Sequence, residues 1–326
     1  MTPSKAELWL LLDDRIGNRS QCLGVADALS LPFEEKELNY GKWAKLPNFL
    51  VGSSLIGLTR SSRNQVGPPW PDLLIAAGRR TAPIAAEIKR RSGAHTKAVQ
   101  IMWPGKHLAD AFDLLCVPNH DDVADLPNLF RMTGAPNSIV AHQISKQNAV
   151  GNETFGNLPS PRIALLCGGT TKRRQFTKNM AAELGRVASE MAKRCGGSLL
   201  VTTSRRTGDA ADILVHEITA PSRIHRWDDE GENPYAAFLA AADAIIVTGD
   251  SMSMCSEACS TGKPVYIYSP PELVTDKHNR LHQELYELGC ARPLSDKFEM
   301  WEYTPLNSAR QIADQIRRQF SVAEGQ

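Results

Sequence analysis

Residues 244–268 read AIIVTGDSMSMCSEACSTGKPVYIY, and this stretch decides the fold. Ala244 to Thr248 is a short apolar run rich in β-branched residues, the mark of a strand covered on both faces. Gly249 and Asp250 form a small-residue turn, and Ser251 stands where a helix cap is expected. Gly262 closes that helix and Pro264 opens the next strand, Pro264 to Tyr268. Strand, loop, helix, strand is the grammar of a parallel sheet with helices on both faces, an α/β class.

The same grammar recurs on both sides of this stretch. Leu8 to Leu12, Asp72 to Ala77, Lys97 to Met102 and Asp113 to Val117 read as strands in the first half. Arg162 to Cys167, Ser198 to Thr203 and Ile213 to Ile218 read as strands in the second. A helix is expected through Val25, Ala26 and Leu29. Another carries Ala82, Ala85, Ala86 and Ile88 on one side and ends on Lys89, Arg90 and Arg91, where cations suit the helix dipole. Residues from about 137 to 161 are rich in Asn, Gln, Ser, Gly and Pro and lack periodicity. The expected organisation is two Rossmann-like domains, 1–145 and 162–304, joined by a linker at 146–161. A final helix at 305–326 follows, with Thr304 and Pro305 as its cap and first residue. Leu306, Ala309, Ile312, Ile316 and Phe320 form its apolar side, and it is expected to cross back to the first domain.

Composition agrees with a globular chain and excludes several classes. The 326 residues favour two domains. Lys+Arg 37 against Asp+Glu 36 gives a net charge of +1, which speaks against nucleic-acid binding by bulk charge. No apolar run approaches a membrane span, and Leu8 to Leu12 is too short for the apolar core of a signal peptide. The 7 cysteines are scattered without a C-x-x-C pair, as expected of reduced thiols in a cytoplasmic protein. Cys255 and Cys259 lack neighbouring His or Cys partners and read as core thiols, so no metal site is expected.

In doubly wound sheets, ligands bind beyond the carboxyl ends of the strands. Gly168-Gly169-Thr170-Thr171 follows a strand, and its glycines let amides approach an anion. Thr202-Thr203-Ser204-Arg205-Arg206-Thr207 combines hydroxyls with guanidinium forks suited to phosphate. Asp250, Ser251 and Ser253 surround the start of the helix of the opening stretch, where free amides favour an anion. Glu257 lies about two turns inside that helix, where a carboxylate accepts both hydroxyls of a ribose. Neither a P-loop nor a G-x-G-x-x-G spacing is present, which disfavours a Rossmann dehydrogenase. The plainer readings are a strand-to-helix turn, a solvated basic loop and a capped helix with an exposed Glu.

These residues carry a resemblance. Gly168-Gly169-Thr170, with Ser251, Ser253, Glu257 and Gly262-Lys263-Pro264, is similar to the nucleotide-sugar-binding domain of GT-B glycosyltransferases, among them the lipid II-forming N-acetylglucosaminyltransferase. Thr-Thr-Lys-Arg-Arg after Gly168-Gly169 departs from that enzyme's pattern. The whole chain resembles the family that includes the plant mitochondrial fission protein and many bacterial proteins classed with the glycosyltransferases. Asp13-Asp14-Arg15-Ile16-Gly17-Asn18 with Gln21, Ala77-Gly78-Arg79-Arg80, Val117-Pro118-Asn119-His120-Asp121, Thr203-Ser204-Arg205-Arg206-Thr207, Asn233-Pro234-Tyr235 and Thr248 to Met254 carry that match. It implies a two-domain GT-B fold and a metal-independent transferase without a cofactor. The donor would be a nucleotide-diphosphate sugar and the acceptor a cell-envelope glycan or glycolipid. The plant members imply a different role, a non-catalytic adaptor on the same fold. A nucleotide-sugar 2-epimerase shares the architecture and is the third alternative.

Transfer also needs a general base. Asp14, with Asp13 behind it, follows a buried strand and is the first candidate; capping the next helix, or pairing with Arg15 and Arg19, is the plain alternative. His120, with Asp121 beside it, is the second, and a surface-loop histidine is its plain reading. Tyr235 opens a helix whose loop either touches the sugar or base or serves packing alone. Between Trp43 and Leu58, apolar residues are flanked by Lys42, Lys45, Arg60 and Arg63. This reads either as a buried core helix or as a peripheral contact with an anionic membrane.

Overall fold

The computed structural model describes residues 8–138 and 155–321. They fall into two compact units, 8–138 with 307–321, and 155–306. Each unit is built on a parallel sheet of six strands.

In the first unit the strands are β1 (Leu8–Leu12), β2 (Phe33–Glu37), β3 (Leu73–Ala77), β4 (Lys97–Ile101), β5 (Leu114–Pro118) and β6 (Leu129–Met132), in the order β2-β1-β3-β4-β5-β6. Leu8, Leu10 and Leu12 pack on one face with Leu73, Ile75 and Val99, while Trp9 and Leu11 join Leu74 and Ala76 on the other. A strand buried on both faces has no polar alternation, which is why β1 and β3 read as continuous apolar runs. The helices are α1 (Ile16–Leu29), α2 (Asn48–Val51), α3 (Arg60–Gln65) and α4 (Ala82–Arg91).

The second unit holds β7 (Arg162–Cys167), β8 (Ser198–Thr203), β9 (Ser222–His225), β10 (Ala244–Thr248), β11 (Val265–Tyr268) and β12 (Ala291–Pro293), ordered β12-β11-β10-β7-β8-β9. Its helices are α5 (Lys178–Arg194), α6 (Ala210–His216), α7 (Tyr235–Ala241), α8 (Met252–Cys259) and α9 (Asp276–Glu287). The last helix, α10 (Ser308–Phe320), belongs to the first unit. Its Ala309, Ile312, Ala313 and Ile316 enter the core beside Leu8 and Val25, and Arg317 Nη2 donates to the Ala28 carbonyl at 2.7 Å.

Several sequence expectations are corrected. Ile213 to Ile218 is not a strand: Ala210–His216 is helical, with Ala210, Ala211 and Leu214 buried on one side, and the strand lies at Ser222–His225. A short β-branched run fits either period. The final helix is capped by Asn307, whose Oδ1 accepts from Arg310 N at 3.0 Å. Thr304 and Pro305 precede it because Leu306 N is tied to the Cys259 carbonyl. The expected linker lies largely outside the described residues. Its end does not run free: Phe155 is buried and meets Phe238 edge-on at 5.3 Å. Trp43 to Leu58 is not a core helix but a 3-10 turn, the single-turn α2 and a loop. All seven cysteines are unpaired, and six, Cys255 and Cys259 among them, are buried.

Candidate functional site

Both sheets reverse their winding at one point, and ligand sites of open α/β sheets form there. In the second unit that point lies between β7 and β10. The loops after these strands and after β8 knit together closely. Gly168 N–H donates to Thr248 Oγ1 at 2.7 Å, Gly169 N–H to Asp250 Oδ2 at 2.9 Å and Thr170 N–H to the Arg206 carbonyl at 2.8 Å. Ser204 Oγ and Thr207 Oγ1 each donate to the Gly168 carbonyl at 2.6 Å. The glycines are required by this closeness. A Cβ on Gly168 would lie 2.5 Å from Asp250 Oδ2, and one on Gly169, at φ +141, would lie 2.2 Å from the Arg206 carbonyl oxygen.

The expected roles within this cluster therefore divide. The three amides from Gly168 to Thr170, read from sequence as an anion cradle, are committed to internal acceptors. Asp250, whose side chain is 0% exposed, pairs with Arg206 and clamps the loops rather than facing outward. Its second oxygen, Oδ1, has no hydrogen-bond partner among the described residues. What remains for an anion is the start of α8. Ser251 caps it by accepting from Met254 N at 3.4 Å. The first N–H groups of a helix have no acceptor within it, and Ser253 lies in that turn.

Glu257, one face further along α8, receives the Tyr235 hydroxyl at 2.5 Å. Tyr235 is placed by Asn233, whose Oδ1 accepts its N–H at 3.0 Å. Glu257 is half-buried, and desolvation pushes its carboxyl up to about 7 despite the phenol's opposing bond. Burial and the neighbouring Glu257 drive the Tyr235 phenol well above its ordinary range, so it stays a donor. The helix–carboxylate spacing was legible in the sequence; the tyrosine partner was not, because 22 residues separate the two.

Arg205 and Arg206 diverge. Arg206 turns inward to Asp250, while Arg205 is exposed and lines a recess of about 300 Å³ with Thr203, Ser204, Asp209, Arg226 and Trp227. Trp227 exposes 53% of its surface there, and its backbone N–H donates to Thr203 Oγ1 at 2.9 Å. Arg226 pairs with Asp212. Sequence reasoning missed Trp227, because a lone tryptophan before the acidic run 228–232 carries no local signal of a site. His282 was also missed: its Nε2 lies 3.0 Å from the Gly249 carbonyl oxygen, and a Cβ on Gly249 would strike the ring at 2.5 Å. Lys263 of the Gly-Lys-Pro motif turns to α7, donating to the Leu239 carbonyl at 2.7 Å. Burial lowers its pKa to about 8.

The first unit reverses between β1 and β3, where Asp13, Asp14 and Arg80 meet. Asp13 is fully buried. It accepts from Arg15 N at 3.0 Å, Asn18 Nδ2 at 3.0 Å and Arg80 Nη2 at 3.1 Å. Asp14 also pairs with Arg80, yet most of its side chain is exposed. The hydrogen bond from Arg80 holds its carboxyl below the usual range. The Arg80 guanidinium sits 4.5 Å over the Tyr40 ring. Of the sequence alternatives, Arg15 is thus engaged by Asp13 through its backbone, while Arg19 pairs with Glu35 and Glu37. His120 is buried instead of lying on a surface loop, with Nε2 4.0 Å from Asp121 Oδ1. Among the described residues no group of three His, Cys, Asp or Glu is arranged to hold a metal.

Comparison with known proteins places these sites in a family. The chain belongs to the mitochondrial fission ELM1 family, whose model matches residues 16–320. It is 30% identical over 350 aligned positions to the uncharacterized protein RP120 of Rickettsia prowazekii, covering 95% of this chain and 97% of that one. It is 28% identical over 298 positions to the mitochondrial fission protein ELM1 of Arabidopsis thaliana, covering 84% and 69%. Among solved structures it is similar to the UDP-GlcNAc 2-epimerase of Methanocaldococcus jannaschii, with a TM-score of 0.58, 13% identity and 96% and 99% coverage. MurG of Acinetobacter baumannii gives 0.50, 14%, 97% and 93%. The fold is accordingly that of two-unit, Rossmann-like proteins of the GT-B type.

Proposed function

We propose that the chain is a metal-independent glycosyltransferase that takes a nucleotide-diphosphate sugar on its second unit. The observation that carries this is the start of α8 at the winding reversal, with the Glu257 carboxylate behind it. In this reading the diphosphate lies at the helix start. Ser251 and Ser253 contribute hydroxyls, and the helix dipole favours the charge that grows on the leaving group. Glu257 accepts the ribose hydroxyls, with Tyr235 fixing the carboxylate. Arg205 and the exposed Trp227 ring border the recess beside Ser204, where a nucleobase has a face for stacking. Gly168, Gly169, Thr170, Arg206 and Asp250 act one step back, setting the positions of these loops.

The acceptor is a hydroxyl of a glycan or glycolipid of the cell envelope. Asp14 is the base we assign, because it is the exposed member of its pair. Its lowered pKa keeps it ionised at neutral pH, at the expense of basicity. Asp13 is saturated by three donors and holds Arg80 in place; His120 is the second candidate.

A second reading is favoured by one observation. The amides from Gly168 to Thr170 are internally satisfied, as suits a non-catalytic adaptor, the role that the family resemblance implies; the Arabidopsis relative is named for mitochondrial fission. A 2-epimerase would convert a nucleotide sugar with no acceptor present. A thermal-shift panel of UDP, GDP, ADP, CMP and their common sugars separates these readings. Ligand at about a hundred times its dissociation constant adds about 2.7 kcal/mol, a shift of a few degrees. A selective shift lost in Glu257→Ala supports the donor site. No shift with any nucleotide, in a folded sample, rejects it in favour of the adaptor. Product identity with and without acceptor then distinguishes transfer from epimerisation.

A further inference from the structure

The first unit presents an apolar projection that the donor site does not use. Trp43 is 57% exposed, Phe49 61% and Leu50 63%, with Ile56 beside them at 42%. Large exposed apolar side chains clustered in one short segment mark an interaction site. Trp43 stands on the 3-10 turn Lys42–Lys45, Phe49 and Leu50 on α2 and Ile56 in the loop that follows, and this segment is anchored from below. Arg79 Nη1 donates to the Leu46 carbonyl at 2.8 Å and Nη2 to the Ala44 carbonyl at 3.3 Å. Asn48 Nδ2 donates to the Arg79 and Pro104 carbonyls, both at 2.9 Å. Gly41 N–H reaches the Gly57 carbonyl at 2.9 Å. Polar anchors hold the backbone down while the apolar side chains point outward, an arrangement with no role in core packing.

Charge selects the partner. From Leu38 to Pro71 the chain carries Lys42, Lys45, Arg60 and Arg63 and not one carboxylate, although the whole chain is nearly neutral. Arg63 is spent on the Leu58 and Ile56 carbonyls; Lys42, Lys45 and Arg60 are exposed. The adjoining turn Lys106–Ala111 adds Lys106 and one carboxylate, Asp110. Tryptophan, phenylalanine and leucine ringed by lysines suit the boundary between anionic headgroups and acyl chains.

We propose that residues 42–56 dock the chain peripherally on an anionic lipid bilayer, with Trp43, Phe49 and Leu50 inserted and Lys42, Lys45 and Arg60 against the headgroups. Arg79, which anchors the segment, precedes Arg80, the partner of Asp13 and Asp14. The bilayer would therefore lie on the side of the unit where its sheet reverses its winding. The inference deepens the reading of a lipid-linked acceptor, but its test measures binding alone and does not depend on transfer.

The experiment is sedimentation of the full chain with phosphatidylcholine vesicles, plain or containing about one third phosphatidylglycerol. Wild type should bind the anionic vesicles and lose binding in high salt, with the Trp43 emission shifting to the blue. The variant Trp43→Ser, Phe49→Ser, Leu50→Ser should lose at least about tenfold in affinity, as should Lys42→Glu with Lys45→Glu. All five positions are exposed, and an unchanged melting temperature establishes that the variants fold. Absence of vesicle binding by wild type overturns the proposal, as does equal binding by either variant. Equal affinity for neutral vesicles removes the headgroup role. A dimer in sedimentation velocity, abolished by the apolar variant and unaccompanied by vesicle binding, assigns the patch to a second copy instead.

Discussion

Replacing Glu257 by Gln should stabilise the protein above pH 7. Burial raises this carboxyl from 4.5 to about 7, so the folded state holds a proton that the unfolded state releases near pH 4.5. Between these values the folded state binds more protons, and stability falls as pH rises. The benefit of the neutral carboxyl is complete below about 4.5 and gone above about 7. The full shift corresponds to about 3 kcal/mol. Glu257 is only half-buried, so solvent screening reduces the expected effect to about 1–2 kcal/mol. Glutamine keeps an oxygen for the Tyr235 hydroxyl and removes the titration. Urea midpoints for wild type and Glu257→Gln, taken from pH 4.5 to 8.5, should coincide at the acid end and separate by this amount at the other. Titrations elsewhere cancel in the difference. Parallel curves, or a variant weaker than wild type at pH 8, would refute the reasoning. Function gives a second readout with the opposite sense. If the ionised carboxylate holds the ribose, wild-type nucleotide affinity should rise by up to about tenfold from pH 6 to 8, following the ionised fraction of a group at about 7, and Glu257→Gln should lose that dependence.

Further outcomes follow from the geometry. Arg206→Ala strips the fully buried Asp250 of its cation and should cost about 2–3 kcal/mol by urea unfolding. Arg205→Ala should leave stability unchanged and weaken nucleotide binding; equal effects at the two positions would contradict their divergence. Gly168→Ala forces a Cβ onto the Asp250 carboxylate and should lower stability by about 1–3 kcal/mol, which a melting curve reads directly. Lys263 has its pKa lowered to about 8, so above that value the unfolded state binds more protons and stability rises with pH toward 10.5; Lys263→Met should flatten this slope in urea midpoints. Ile316→Ala empties a buried position in α10 and should cost about 2–5 kcal/mol, whereas truncation of a helix that merely trailed from the second unit would cost almost nothing.

The sequence by itself determined the α/β class, the interior strands and the loops that carry polar chemistry. Those features are local: β1, β3, β5, β10 and β11 are buried along their whole length, and a strand covered on both faces reads as a near-continuous apolar run. The strands it failed to mark are β2, β6, β9 and β12, the outer strands of the two sheets. An edge strand tolerates charge and even benefits from it: β2 reads FEEKE, and Arg19 from α1 meets two of its glutamates. Pairing across the sheet, not composition, makes that segment a strand. The site divides along the same line. Ser251 as a cap and Glu257 in its helix are matters of spacing and were legible. Only the tertiary structure decided that Asp250 and Arg206 neutralise each other, that the Gly168–Thr170 amides are already engaged, and that Tyr235 reaches Glu257. Those partners are 22 to 81 residues apart. Periodicity along a chain carries no record of which distant group comes to lie within 3 Å, whereas the strand order of the second unit, which sets β10, β7 and β8 side by side, fixes it.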